Sequence, residues 1–239
     1  MNIFVVGATG ATGRFLVQQL LERGHAVKVI VRSADRLPEA VRNHKHLAVI
    51  EANLLDLSGA DLANHVKGCE AVASCLGHNL TLKGVYGQPR RLVTDATRRL
   101  CHAIKANSPA TRTKFVLMNT SGNRNRDLHE PISAAQHVVI GLLRLLLPPH
   151  VDNEQAADYL RTQIGQRDEL IEWVAVRPDG LVDADEVTAY DAYPSPTRSA
   201  IFNAGQVSRI NVAHFMAELI TNASIWRQWQ GQMPVIYSQ

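Results

Sequence analysis

Gly7, Gly10 and Gly13, spaced three apart with Thr9 and Thr12 between them, follow directly on the apolar run Ile3-Phe4-Val5-Val6. Glycines at this spacing suit one task well, which is bringing backbone N–H groups up against phosphate oxygens. Gly7 can turn left-handed, Gly10 leaves room for a close approach, and Gly13 lets a helix pack against a sheet. Phe15, Leu16, Val17, Leu20 and Leu21 then recur at helical spacing up to Gly24. A strand that turns through glycines into a helix leaves the first N–H groups of that helix free for a diphosphate. Gly7, Thr9, Gly10, Ala11, Thr12 and Gly13 are therefore the candidate phosphate turn.

A second β-branched run, His25–Val31, ends at the tip Arg32-Ser33-Ala34-Asp35-Arg36. In a dinucleotide fold this tip reaches the adenosine ribose. An acidic residue there selects NAD, whereas a guanidinium pairs with the 2′-phosphate of NADP. Two arginines and a hydroxyl against the single Asp35 point to NADP(H), with Arg32, Ser33 and Arg36 as its readers.

The elements that must position these residues alternate along the chain. Strand patterns are expected at Leu47–Ala52, Glu70–Leu76, Lys114–Met118 and Trp173–Arg177, and helices over Leu92–Ala106, about 153–163 and 212–222. Asp56 is expected to cap a further helix that runs through Val66. Such alternation builds a parallel α/β sheet wound in both directions. Residues 120–150 read as irregular, then apolar, ending in Pro148-Pro149. The stretch 178–208, rich in proline and glycine and carrying Tyr190 and Tyr193, reads as a cover over the carboxyl edge of the sheet, where ligands of such sheets bind. Residues 1–239 are expected to form one nucleotide-binding domain.

Composition excludes several classes. Among 239 residues, 46% are hydrophobic and 20% charged, and this is material for a folded core. A net charge of +3 with scattered lysines and arginines does not fit a nucleic-acid partner. Cys69, Cys75 and Cys101 have no metal spacing, the histidines lack a His-x-x-x-His pair, and no metal is assigned. The apolar stretch Val138–Leu147 is too short to cross a bilayer and contains Arg144. With no signal-peptide pattern at the start, the expectation is a cytoplasmic monomer or weak homodimer whose partner is a small-molecule substrate.

The glycine turn, the Arg32 tip, Thr120-Ser121-Gly122, Val176-Arg177-Pro178-Asp179-Gly180-Leu181 and Ser208-Arg209-Ile210-Asn211-Val212-Ala213 together resemble one family. It is the atypical short-chain dehydrogenase/reductases with an NAD(P)H-binding Rossmann domain, near the NmrA-like proteins and the flavin and biliverdin-IXβ reductases. The resemblance implies that Asn53 and Leu54 flank the adenine, where the family usually has an aspartate and an apolar residue. It also implies that Cys75, Leu76 and Gly77 pass beneath the nicotinamide ribose, with Thr120 and Ser121 at the reacting end.

Many relatives in the superfamily use Ser, Tyr and Lys, the tyrosine four residues before the lysine. No Tyr-x-x-x-Lys occurs in this chain; Pro149 and Asn153 fall at those places, and only Ser121 remains. The candidate catalytic residues are Ser121 as a hydrogen-bond donor and His78 as a proton donor near neutral pH, with Tyr86 and Tyr159 as alternative donors. Arg177 is expected to hold a loop carbonyl or a carboxylate, and Trp226 and Trp229 to close the core or to meet a partner. Two functional readings stand. In one, a reductase passes hydride to a small planar or carbonyl acceptor, such as a flavin or quinone, that needs little protein acid. In the other, a silent NmrA-like protein binds NADP(H) as a sensor.

Overall fold

The computed structural model describes residues 1–79, 81–128, 130 and 132–239. Its first half is β1 (Asn2–Val6), α1 (Gly13–Glu22), β2 (Ala26–Val31), α2 (Glu39–Arg42), β3 (Leu47–Glu51), α3 (Gly59–Val66), β4 (Ala71–Ser74), α4 (Leu82–Tyr86) and α5 (Leu92–Ala106). The second half is β5 (Thr113–Met118), α6 (Ala134–Leu146), α7 (Pro148–Tyr159), β6 (Ile171–Pro178), β7 (Gly180–Val182), β8 (Tyr190–Tyr193), β9 (Gln206–Ser208), α8 (Arg209–Thr221), α9 (Ala223–Trp229) and β10 (Val235–Ser238).

Eight strands form the main sheet in the order β3-β2-β1-β4-β5-β6-β10-β8. The first seven are parallel and β8 runs antiparallel to β10. This is the doubly wound, Rossmann-type sheet expected from the alternation. Its winding reverses between β1 and β4, where a crevice opens at the carboxyl edge. Both faces of β1 are buried. Ile3 and Val5 join Leu16, Leu20 and Phe215 under α1 and α8, while Phe4 and Val6 join Leu100, Phe115 and Trp173 under α5 and α7. Covered on both faces, a central parallel strand must be apolar throughout, and Ile3–Val6 is.

Several expectations change. Ser58, not Asp56, caps α3, its hydroxyl accepting the Asp61 N–H at 3.1 Å. The apolar stretch before the proline pair is a helix, α6, and Pro148-Pro149 opens α7 rather than closing a loop, as suits residues without a free N–H. The 178–208 stretch is not one cover. Its β8 extends the sheet, with the Tyr190 hydroxyl 2.7 Å from His214 Nδ1 and Tyr193 beside Tyr237, so only Pro196–Ala200 stand over Ser121. Trp226 and Trp229 are buried, closing the core beneath α8 and α9. Among the described residues no single helix is long and apolar enough to cross a membrane.

Arg177 ties the carboxyl edge together. It is fully buried, its guanidinium donating to Glu130 at 2.7 and 3.0 Å and to the carbonyls of Met233, Asn123 and Pro194. Both expected partners, loop carbonyls and a carboxylate, are present. Removing one partner of such a pair strands a buried charge. Arg177→Ala is therefore expected to destabilise the fold by about 3–5 kcal/mol in denaturant melts; a loss below about 1 kcal/mol would show the pair to be dispensable.

Candidate active site

The glycine turn is closed by its own backbone. Gly7 has φ +79°, and a side chain there would meet the Cys75 carbonyl carbon at 2.5 Å; one at Gly13 would meet the Gly7 oxygen at 2.2 Å. The Gly10 N–H donates to the Gly7 carbonyl at 2.9 Å. Around the start of α1, where Thr12 takes the N-cap position without a side-chain cap bond, the N–H groups of Ala11, Thr12 and Gly13 have no acceptor among the described residues. Unused donors at a helix N-terminus, where the dipole favours negative charge, form a seat for an anion.

A cleft runs from this turn along the carboxyl edge. Its floor is Gly7, Thr9 and Gly10 with Cys75, Leu76 and Gly77, and Arg32 and Arg36 stand beside Asn53 and Leu54 along its β2–β3 side. Ala11, Thr12, Gly13 and Ser33 lie beside it rather than in its lining. Sequence reasoning missed the far wall, Asn79, Gly84, Gln88, Pro89 and Leu92. Those residues run from past the end of β4 to the first residue of α5, and all but Leu92 carry no periodic signal.

The basic tip has a simple electrostatic arrangement. Asp35, the only acid within the tip, is held by Arg42 at 2.8 Å, and Glu51 accepts the Ala34 N–H at 3.1 Å. Arg32 and Arg36 are exposed at the cleft, with no ion-pair partner among the described residues. Asn53 lines the cleft while its amide nitrogen donates to Asp56 at 2.9 Å, so it also closes a turn. Cys75 contributes backbone, since its sulfur packs against Met216 and burial pushes the thiol up to about 12.

The two candidate catalytic residues are not brought together. His78 lines the nucleotide cleft, but both ring nitrogens are engaged, Nε2 at 2.7 Å from Asp152 and Nδ1 at 3.2 Å from the Gly84 carbonyl. Two acceptors require two N–H donors, hence an imidazolium. The Asp152 hydrogen bond raises the His78 pKa, while Asp152, which also accepts the Val93 and Thr94 N–H groups, is lowered against its burial by these bonds. His78 is thus a clamp between α4 and the starts of α5 and α7, not a free acid.

Ser121 faces a different cavity, and its hydroxyl donates to buried Asp179 at 2.9 Å; Thr120 lines neither space, its hydroxyl accepting the Gly122 N–H at 3.3 Å. The alternative donors are engaged or remote as well. Tyr86 donates to the Leu146 carbonyl, and Tyr159, pushed up to about 12 by burial, sits on the opposite end of α7 from the cleft.

Residues 7–223 match the model of a family described as NAD(P)H-binding. The chain belongs to the NAD(P)H-binding family. The membership in an NAD(P)H-binding family that the motif resemblance implies is thereby borne out. Among similar proteins, a 3-diazoavenalumate denitrifying reductase from Streptomyces is 36% identical over 110 residues, 44% of this chain and 34% of that protein. The uncharacterized YwnB of Bacillus subtilis is 30% identical over 123 residues, 52% of this chain and 49% of that protein. These matches span less than half the length of either relative. A short-chain dehydrogenase/reductase from Veillonella parvula in complex with NADP has the same fold, with a TM-score of 0.70, 18% identity, and 99% of this chain and 94% of that one covered.

The His78–Asp152 clamp predicts a pH dependence. A group whose pKa is raised by folding stabilises fully below its unfolded value and loses that contribution as pH rises through the folded one. The melting-temperature gap between the protein and His78→Gln is therefore expected to be widest below the ordinary histidine value of about 6.5 and to shrink as the pH rises above it. A constant gap would contradict the charged clamp.

Proposed function

We propose that this protein is an NADPH-dependent reductase that passes hydride to a small planar or carbonyl acceptor without a Tyr/Lys dyad. The observation that carries the cofactor half is the pair Arg32 and Arg36, left without a carboxylate partner at the edge of a cleft whose floor is the glycine turn. In this reading the N–H groups of Ala11, Thr12 and Gly13, with the Thr9 and Thr12 hydroxyls, hold the diphosphate. Arg32 and Arg36, with Ser33, hold the 2′-phosphate; Asn53 and Leu54 flank the adenine; Cys75, Leu76 and Gly77 border the nicotinamide half, with Thr120 set back from it. The solved structure with NADP bound supports the same choice.

The chemistry NADPH supplies is a hydride from its nicotinamide ring. What the chain contributes is orientation of the acceptor and exclusion of water, and these can account for a large share of the rate. His78, Tyr86 and Tyr159 all have their protons committed or lie elsewhere. Flavin and quinone acceptors suit such a site because solvent can supply their proton. A Streptococcus pneumoniae protein of this fold, described as a candidate NADH-flavin reductase, has a TM-score of 0.67 at 18% identity and supports the acceptor class by analogy.

Arg32→Ala combined with Arg36→Ala is expected to weaken NADPH by roughly tenfold or more while leaving NADH within about threefold. Equal losses for both would remove the 2′-phosphate assignment. NADPH oxidation with free flavin, a quinone and a simple aldehyde tests turnover. Tight NADPH binding with no oxidation by any of them would favour the sensor reading instead.

A further inference from the structure

The cavity that holds Ser121 lies at the carboxyl ends of β5 and β6, is about 270 Å³ in volume, and is not used by the nucleotide assignment. One wall is apolar, made by Ile132, Ile140 and Pro196, and another carries Arg124 and Arg198. Their charges are uncompensated among the described residues, and Arg124 Nε is buried without a partner.

Both carboxylates near the cavity are committed. Glu130 is bound by Arg177 at 2.7 and 3.0 Å and accepts the Asn125 N–H at 2.8 Å. Asp179 takes the Ser121 hydroxyl at 2.9 Å and the Gly205 N–H at 2.8 Å. The segment carrying Arg198 is pinned over the space, because the Ser199 hydroxyl donates to Gln136 of α6 at 3.2 Å and accepts the Phe202 N–H at 3.1 Å.

We propose that this cavity is a subsite for a carboxylate or phosphate group on the acceptor, held between Arg124 and Arg198 with its ring against Ile132 and Ile140. A buried guanidinium N–H without an acceptor is costly, and an oxyanion relieves that cost with charge-assisted bonds. The volume lies at the lower end of ligand pockets and fits one ring with its substituent. The proposal deepens the reductase reading and rests on it only for the word acceptor.

The test uses protein saturated with NADP⁺, so that added anions cannot occupy Arg32 and Arg36. Benzoate, phenyl phosphate and neutral benzyl alcohol are titrated by ligand-observed NMR. The anions are expected to bind roughly tenfold or more tightly than the alcohol, and whichever of the two binds better identifies the preferred group. Arg124→Gln and Arg198→Gln should each remove most of that preference, and Arg198→Glu should abolish it, with NADP⁺ affinity unchanged as proof of an intact fold. Equal affinity for all three probes, or a preference that survives the double Arg-to-Gln substitution, overturns the subsite. Anion binding without NADPH oxidation by a carboxylated aldehyde, a flavin or a quinone keeps the subsite and removes the reductase reading.

Discussion

The contact on which the rest depends is backbone against backbone. The β1–α1 turn folds so tightly that the position a Cβ would take at Gly13 falls 2.2 Å from the Gly7 oxygen, and the turn itself lies on the carbonyl of Cys75 at the end of β4. Any other residue at Gly7 or Gly13 would push α1 off the sheet. That closeness points the first amides of α1 along the crevice where the sheet winding reverses. It also joins the turn to the floor of the cleft through Cys75 and Leu76. The glycine turn and the Cys75–Leu76 stretch that line the cleft are one closely packed piece of main chain.

Electrostatics then sorts the carboxyl edge into compensated and uncompensated groups. Asp35 is neutralised by Arg42, Glu130 by Arg177, and Asp152 by His78 together with the amides of α5. Arg32 and Arg36 at the cleft, and Arg124 and Arg198 at the neighbouring cavity, are left over. With these carboxylates engaged, four arginines without an ion-pair partner among the described residues line the two spaces. A modest net charge of +3 conceals this local imbalance.

Much of this arrangement was legible in the sequence where the physics is local. The glycine turn, the Arg32 tip and the strands from β1 to β6 each announce themselves within a dozen residues through period and turn chemistry. The misses are non-local or lack period. α6 buries only Ile140 and so is not held by a packed core face, and β10 is defined by partners far away in sequence. His78 looked like a free acid because the partner that locks it, Asp152, lies 74 residues on. Ser121 was placed with the nucleotide because strand order alone does not reveal that the carboxyl edge is divided into two spaces.

Phosphorus NMR of NADP⁺ titrated with the protein tests the central claim most directly, since the molecule carries one reporter for each proposed contact. The account predicts that the diphosphate and 2′-phosphate resonances both shift and broaden, and that Arg32→Ala restores the 2′-phosphate signal toward its free position while the diphosphate stays perturbed. A 2′-phosphate unmoved by saturating protein, or a diphosphate signal indifferent to the glycine turn, would contradict it.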